Sequence, residues 1–224
     1  MKPSKDMDKM RGDMGGAACV TGCLYTVANL QLPVNLKVLI PLCENMPSGT
    51  ATKPGDVVTA KNGKTIQVDN TDAEGRLILA DALCYADTLK PKLVLDAATL
   101  TGAMAVAIGG AASGVYSTNE RYWSMLQQAS FRSGDRVWRM PLWKFYTAQM
   151  KSPTADLNNI SSVPYGGSCT AAAFLREFVT CANWMHLDIA GVMHSASDVK
   201  YLPPGMAGRP TRTLVEFMQM LSQE

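Results

Sequence analysis

The sequence has no long apolar segment and almost no net charge. No apolar run reaches the roughly 20 residues that a membrane-spanning helix needs, and residues 1–6 lack the apolar core of a secretory signal. The formal net charge of +2 provides no electrostatic basis for binding nucleic acid or a membrane surface. These absences favour a cytoplasmic protein that binds neither.

The residue patterns of several common catalytic sites are also missing. The six cysteines form no CxxC pair or Cys/His cluster and lie mostly in apolar stretches, which predicts free, buried thiols. The two histidines, His186 and His194, lack the spacing of a metal pair; we interpret the first as structural and the second as a residue at a pocket rim. No GxSxG elbow accompanies Ser48, Ser168 or Cys169. The sequence therefore gives no indication of a serine or cysteine nucleophile.

Strand and helix patterns alternate along the 224 residues, which is enough chain for one large domain. The predicted helices cover 15–30, 75–87, an Ala-rich stretch after Gly102, 121–132, 169–180 and 211–221. Buried strands are predicted at 34–42, 92–97 and 185–189. A hairpin is predicted between 56–60 and 65–69, with Asn62-Gly63 at its turn. Because a hairpin is antiparallel, the expected fold is α/β, with a mixed β-sheet flanked by helices.

The segment Asn70-Thr-Asp-Ala-Glu-Gly-Arg76 carries the strongest chemical signal. Asp72 and Glu74 lie two residues apart in a turn between a strand and a helix, where their oxygens could hold divalent cations. Arg76 follows in the first helical turn, a position that favours an anion. A simpler interpretation makes Asp72 the helix N-cap, Glu74 a first-turn acid and Arg76 a solvated side chain. Local spacing alone leaves both interpretations open.

This segment and the following Leu77-Ile-Leu-Ala-Asp-Ala82 resemble the signature of the leucine aminopeptidase (cytosol aminopeptidase) family. Further stretches resemble the family in the expected order: Met10-Arg-Gly-Asp-Met-Gly-Gly-Ala17, Pro41-Leu-Cys-Glu-Asn-Met-Pro-Ser-Gly49, Lys53-Pro-Gly-Asp56, Ala98-Thr-Leu-Thr-Gly102 and Gly208-Arg-Pro-Thr-Arg212. The resemblance implies that residues 1–224 form a peptidase catalytic domain, without the family's separate N-terminal domain and first metal-binding segment.

The resemblance also implies a role for individual residues. It makes Asp13, Asp72 and Glu74 metal ligands, with Glu74 bridging two metals. Arg76 matches the arginine that holds a bicarbonate ion, the general base of the reaction, and Lys2 matches the lysine that polarises the substrate carbonyl. The implied substrate-binding residues are Lys2, Asp13, Thr99, Leu100 and Gly102, with Met14, Ala190 and Met193 near the side-chain pocket.

The implied activity is a two-metal, bicarbonate-assisted aminopeptidase that removes N-terminal leucine and other bulky apolar residues from peptides. Its cofactors would be two divalent metal ions (zinc, manganese or magnesium), and its assembly a homo-hexamer. The family has a further lysine and aspartate upstream of Lys2, so we expect this chain to supply too few ligands for a complete metal pair. Two explanations stay open: a fragment of a longer enzyme, or a naturally short, weak or inactive paralogue kept for assembly. The small net charge disfavours a third role, DNA binding.

Overall fold

The computed structural model describes residues 7–195, 202 and 204–223, and a four-stranded mixed sheet lies at its centre. The helices are α1 (Gly15–Asn29), α2 (Gly75–Thr88), α3 (Gly102–Ile108), α4 (Glu120–Ser133), α5 (Lys144–Ala148), α6 (Gly167–Arg176) and α7 (Thr211–Leu221), with 3-10 turns at Met7–Met14 and Ala190–Val192. The strands are β1 (Val57–Thr59), β2 (Thr65–Gln67), β3 (Val94–Ala98), β4 (Ser113–Ser117), β5 (Val137–Arg139), β6 (Leu157–Asn158), β7 (Trp184–Asp188), β8 (His194–Ser195) and β9 (Gly205–Met206). The predicted α/β class with a mixed sheet is confirmed.

The order of the central sheet is β3-β7-β4-β5. The β3–β7 and β4–β5 pairs are parallel, whereas β4 and β7 are antiparallel. A smaller sheet contains β1, β2 and β6, and β8 pairs with β9. Because β3 and β7 are parallel, with Ala98 opposite Asp188, their carboxyl ends lie side by side. This edge of the sheet is where an open α/β fold usually binds its ligand.

Strand β7 is buried on both faces, because helices cover the sheet from two sides. Met185 and Leu187 belong to the apolar cluster shared with α1, α4 and α7. Trp184 belongs to a second cluster, shared with α2 and α6. Since side chains alternate along a strand, His186 and Asp188 lie on the Trp184 face, and both are fully buried. This second face therefore holds polar groups in the protein interior, which requires that they be hydrogen-bonded.

Several local predictions are confirmed. β1 and β2 form the predicted hairpin, and Gly63 has the positive φ of +87° that such a turn needs. Helix α2 begins at Gly75 and helix α7 spans Thr211–Leu221, as the sequence patterns predict. All six cysteines are free, as predicted, but only Cys19, Cys23 and Cys169 are buried; Cys84 and Cys181 are partly buried and Cys43 is exposed. No helix within the described ranges is long and apolar enough to cross a membrane.

The predicted buried strand at 34–42 is wrong. This segment is not part of any of the three sheets, and its residues are exposed or only half-buried. Val34 and Leu36 pack against the first apolar cluster with the two-residue period of a strand. A strand also needs a hydrogen-bonded neighbour, however, and none of the described strands pairs with this segment. Conversely, β4 and β5 were not predicted, and α6 ends at Arg176 rather than at 180.

Candidate active site

The start of helix α1 lies directly against the carboxyl end of β3. A Cβ atom at Gly16 would lie 2.3 Å from the main-chain oxygen of Ala97, so only glycine permits this contact. The approach brings Asp13 to the residue that follows β3: Thr99 Oγ1 lies 2.9 Å from both the main-chain oxygen and Oδ1 of Asp13. The structure therefore positions Asp13 at the sheet edge where ligands are expected.

The turn that carries Asp72 and Glu74 is held by one buried side chain, that of Asn159. Its Oδ1 accepts hydrogen bonds from the main-chain nitrogens of Asp69 (2.9 Å) and Asn70 (3.2 Å). Its Nδ2 donates to the main-chain oxygens of Asn70 (2.6 Å) and Ala73 (3.3 Å). Within the turn, Asn70 Oδ1 accepts from the main-chain nitrogen of Asp72 at 2.8 Å. The backbone between the strand and α2 is thus fixed from inside the protein.

Arg76 is buried, with 7% of its surface exposed. Its Nη1 donates to the main-chain oxygen of Asn159 at 2.8 Å, while its Nε has no hydrogen-bond partner in the described part of the chain. Burial lowers the pKa of Arg76 to about 10, partly opposed by the carboxylates of Asp188 and Glu74. At neutral pH the guanidinium is therefore a buried cation with an unused donor, an arrangement that fits an anion.

The simpler interpretation of this segment is wrong in two respects. Arg76 is not solvated. Asp72 is not the N-cap of α2, because Glu74 occupies that position and no side chain caps the helix. The burial of a cation needs a reason beyond helix capping, since moving a charge from water into the protein interior is costly.

The loop between β3 and α3 joins the two parts of the site. On one side, Thr99 contacts Asp13. On the other, Leu100 Cδ1 lies 3.4 Å from the position that a Cβ atom would take at Gly75, which is the residue before Arg76. Behind the loop, Asp188 at the end of β7 accepts hydrogen bonds from the main-chain nitrogens of the loop residues Leu100 and Thr101. The loop thus contacts segments that lie up to 88 residues away from it in the sequence.

The other predicted site residues lie in the following places. Met14 is half exposed, Ala190 and Met193 are partly buried, and Gly102 begins α3. Met193 and Met206 pack against Gly12. His194 lines a surface cleft of about 420 Å³. This position agrees with the prediction that it lies at the rim of a pocket. The predicted catalytic residue Lys2 lies outside the described residues.

His186 has the structural role that the sequence predicts, and Ser168 is also buried. His186 is fully buried; its Nδ1 lies 2.5 Å from Asp96 Oδ1, and its ring stacks with those of Tyr116 and Trp184. Burial lowers the pKa of His186, but the charge of Asp96 outweighs this and leaves the pKa raised. Ser168 is buried between Tyr116 and Asp188 and has no histidine partner in the described structure. Neither residue is placed to attack a substrate.

The predicted metal ligands share suitable chemistry but do not form a complete site. Carboxylate oxygens suit divalent cations. The described ranges, however, contain no group of three or more His, Cys, Asp and Glu side chains that could hold a metal ion. Asp13, Asp72 and Glu74 therefore stay a predicted ligand set, to which further ligands would have to be added.

Two buried residues of the site, Asn159 and Asp188, were not predicted. Asn159 follows the two-residue strand β6, which is too short to show a sequence pattern. Asp188 is the last residue of a fully buried strand in which three of the five residues are apolar. A polar residue at the carboxyl end of a buried strand is a signal that sequence reasoning could have used.

The same architecture occurs in a solved structure of a tomato leucine aminopeptidase mutant. That structure superposes with a TM-score of 0.87 and 42% sequence identity, covering 94% of this chain and 41% of the other. Fold and site therefore define an α/β protein of the leucine aminopeptidase type.

The sequence comparisons identify the family. The model of the cytosol aminopeptidase family, catalytic domain, matches residues 1–215. Cytosol aminopeptidases from Xenopus tropicalis and Homo sapiens are 62% and 61% identical over the whole of this chain. The chain belongs to the cytosol aminopeptidase family. It spans less than half the length of these relatives, 44% and 43% respectively.

Proposed function

We propose that the protein containing this chain is a metal-dependent aminopeptidase. The observation that carries the proposal is the buried Arg76, whose Nε has no partner in the described structure and which lies two residues after Glu74. Membership of a peptidase family supports the reaction type. The exact reaction would be hydrolytic release of an N-terminal residue from a peptide in the cytosol.

Asp13, Asp72 and Glu74 would supply carboxylate ligands to two divalent ions (zinc, manganese or magnesium). Such a metal pair polarises a carbonyl and lowers the pKa of bound water. The hydrogen bonds of Asn159 and Asn70 support this assignment, because they fix the backbone of the turn that carries two of the three carboxylates. Asp13 would approach from the other side of the loop, held by Thr99.

Arg76 would hold a bicarbonate ion, which would supply the proton acceptor of the reaction. A buried cation binds an anion strongly because little solvent screens the interaction. Lys2 would polarise the substrate carbonyl. Leu100 and Gly102, in the loop and at the start of α3, would contact the substrate main chain.

The preference for leucine and other bulky apolar residues rests on a smaller set of contacts. Met14, Ala190 and Met193 would line the side-chain pocket. The packing of Met193 and Met206 against Gly12 supports an apolar surface close to Asp13.

For the assembly of the protein we propose a homo-hexamer. The aromatic side chains of Trp138 and Phe131 are exposed and line a mostly apolar cleft of about 380 Å³. Exposed apolar surface of this kind supports contact with another subunit.

Hydrolysis of leucyl amide by the full-length protein, with and without added Mn²⁺ or Zn²⁺, tests this function. Glu74→Ala is expected to lower metal-dependent turnover by about 1,000-fold or more, because a metal contributes several kcal/mol of transition-state stabilisation. Glu120→Ala is the matched control, since Glu120 only forms an exposed ion pair with Arg139. Two bound metals without turnover in the unmodified protein would contradict the enzymatic assignment and favour an assembly role.

A further inference from the structure

Asp188 is fully buried and accepts five hydrogen bonds. Its Oδ1 lies 3.3 Å from the main-chain nitrogens of Leu100, Thr101 and Ala190. Its Oδ2 accepts from the hydroxyls of Thr101 (2.6 Å) and Ser168 (2.7 Å). An ionised carboxylate can only accept, and all five partners are donors. Its environment is therefore built for a fixed negative charge.

These contacts determine the orientation of two peptide groups. A trans peptide is planar, with its C=O opposite its N–H. Since the N–H groups of Leu100 and Thr101 are directed at Asp188, the carbonyl oxygens of Thr99 and Leu100 are directed away from it. The same anchor extends into α3, because Thr101 Oγ1 also accepts from the main-chain nitrogen of Met104 at 3.1 Å.

The front of this loop faces the site. Leu100 contacts the start of α2 at Gly75, and Thr99 contacts Asp13. Behind Asp188, Ser168 accepts a hydrogen bond from Tyr116 at 2.8 Å, which restricts movement of the carboxylate. Asp188 thus links β7 and α6 to a loop that contacts both halves of the predicted site.

We propose that Asp188 is a positioning residue of the active site, which turns the carbonyl oxygens of Thr99 and Leu100 toward the substrate. These oxygens then accept hydrogen bonds from N–H groups at the amino end of a peptide. Asp188 itself does not contact the substrate and acts through the loop. The proposal rests on the proposed aminopeptidase function, because it assigns the loop to substrate binding.

The test compares Asp188→Ala, Asp188→Asn and a control in the full-length protein. The amide of Asp188→Asn can keep the hydrogen bonds at Oδ2, because the hydroxyls of Thr101 and Ser168 can accept as well as donate. Asp96→Asn is the matched control: Asp96 is also buried, lies on the neighbouring strand and bonds to His186 rather than to the loop. Amide hydrogen exchange of residues 99–104 measures loop position independently of activity, and kcat and KM for leucyl amide measure its effect.

Asp188→Ala is expected to lose exchange protection at 99–104 and to lower kcat/KM by about 100-fold, the size of effect that a small misplacement causes. Asp188→Asn should recover part of both, and Asp96→Asn should keep both while losing thermal stability. Unchanged protection in Asp188→Ala, or an equal activity loss in Asp96→Asn, would overturn the proposal.

If Asp188→Ala does not fold, Ser168→Ala replaces it. This variant removes one hydrogen-bond donor to Asp188 and should give a smaller loss of exchange protection and of kcat/KM. An inactive unmodified protein would refute the function instead, while the exchange data would still decide the loop's dependence on Asp188.

Discussion

Asn159 is a single side chain that hydrogen-bonds to four main-chain groups of the turn carrying Asp72 and Glu74. Replacing it by alanine removes all four of these part-buried hydrogen bonds, and each lost hydrogen bond costs about 0.5–1.5 kcal/mol. We expect Asn159→Ala to lower the free energy of unfolding by on the order of 3 kcal/mol and to weaken Mn²⁺ binding. Urea unfolding and calorimetric titration of the full-length protein measure the two effects.

The neighbouring Asn158 provides the control for this substitution. It is also buried, but its Oδ1 has no hydrogen-bond partner in the part of the chain that the structure describes. Asn158→Ala should therefore cost less stability and leave Mn²⁺ affinity unchanged. Equal effects of the two substitutions would mean that Asn159 has no special role in the turn.

At the level of secondary-structure elements, a buried ion pair connects the segment before α7 to the segment after α4. Arg209 Nε lies 2.6 Å from Asp135 Oδ1, with both side chains at least 94% buried. The remaining contacts of Arg209 hold further segments: its Nη1 donates to Gly110, and its main-chain oxygen accepts from Cys19 Sγ. The family-like stretch at 208–212 therefore has a structural role, joining α7 to α1 and α4.

Removing Arg209 leaves Asp135 as an uncompensated buried charge. We expect Arg209→Met to lower the free energy of unfolding by about 3–5 kcal/mol, measured by urea denaturation. Arg132→Met is the control, because its ion pair with Glu216 lies at the surface, with the Arg132 side chain 59% exposed, and should contribute less than about 1 kcal/mol. The double variant Arg209→Met with Asp135→Asn should recover part of the loss; no recovery would argue against charge burial as the cause.

For the whole molecule, two buried thiols predict how stability depends on pH. Burial raises the pKa of Cys19 and Cys23 from 9.0 to about 11. Because the unfolded chain releases these protons first, their contribution to stability is complete below pH 9 and is lost as the pH rises toward 11. The free energy of unfolding should fall across this range, and Cys19→Ala should make the fall shallower. An identical pH slope in the variant would show that Cys19 does not contribute.

Much of the fold could be predicted because local patterns agree with it. Helices α1, α2 and α7 and the hairpin at Asn62-Gly63 follow from apolar spacing and turn residues alone. The segment 34–42 has the same strand-like alternation and yet is not a strand, because pairing depends on a neighbour elsewhere in the chain. The short strands β5 and β6 have too few residues to show any period.

By itself, the sequence determined the family, the α/β class and the residue types of the site, because the segment from Asn70 to Arg76 is contiguous and its chemistry is local. Only the tertiary structure decided that Arg76 is buried, that Asn159 holds the turn, and that Asp188 anchors the loop after β3. These contacts join residues 83 to 90 positions apart, and their formation depends on strand order and helix packing. No local pattern encodes that order, since it follows from how all the apolar faces are buried together.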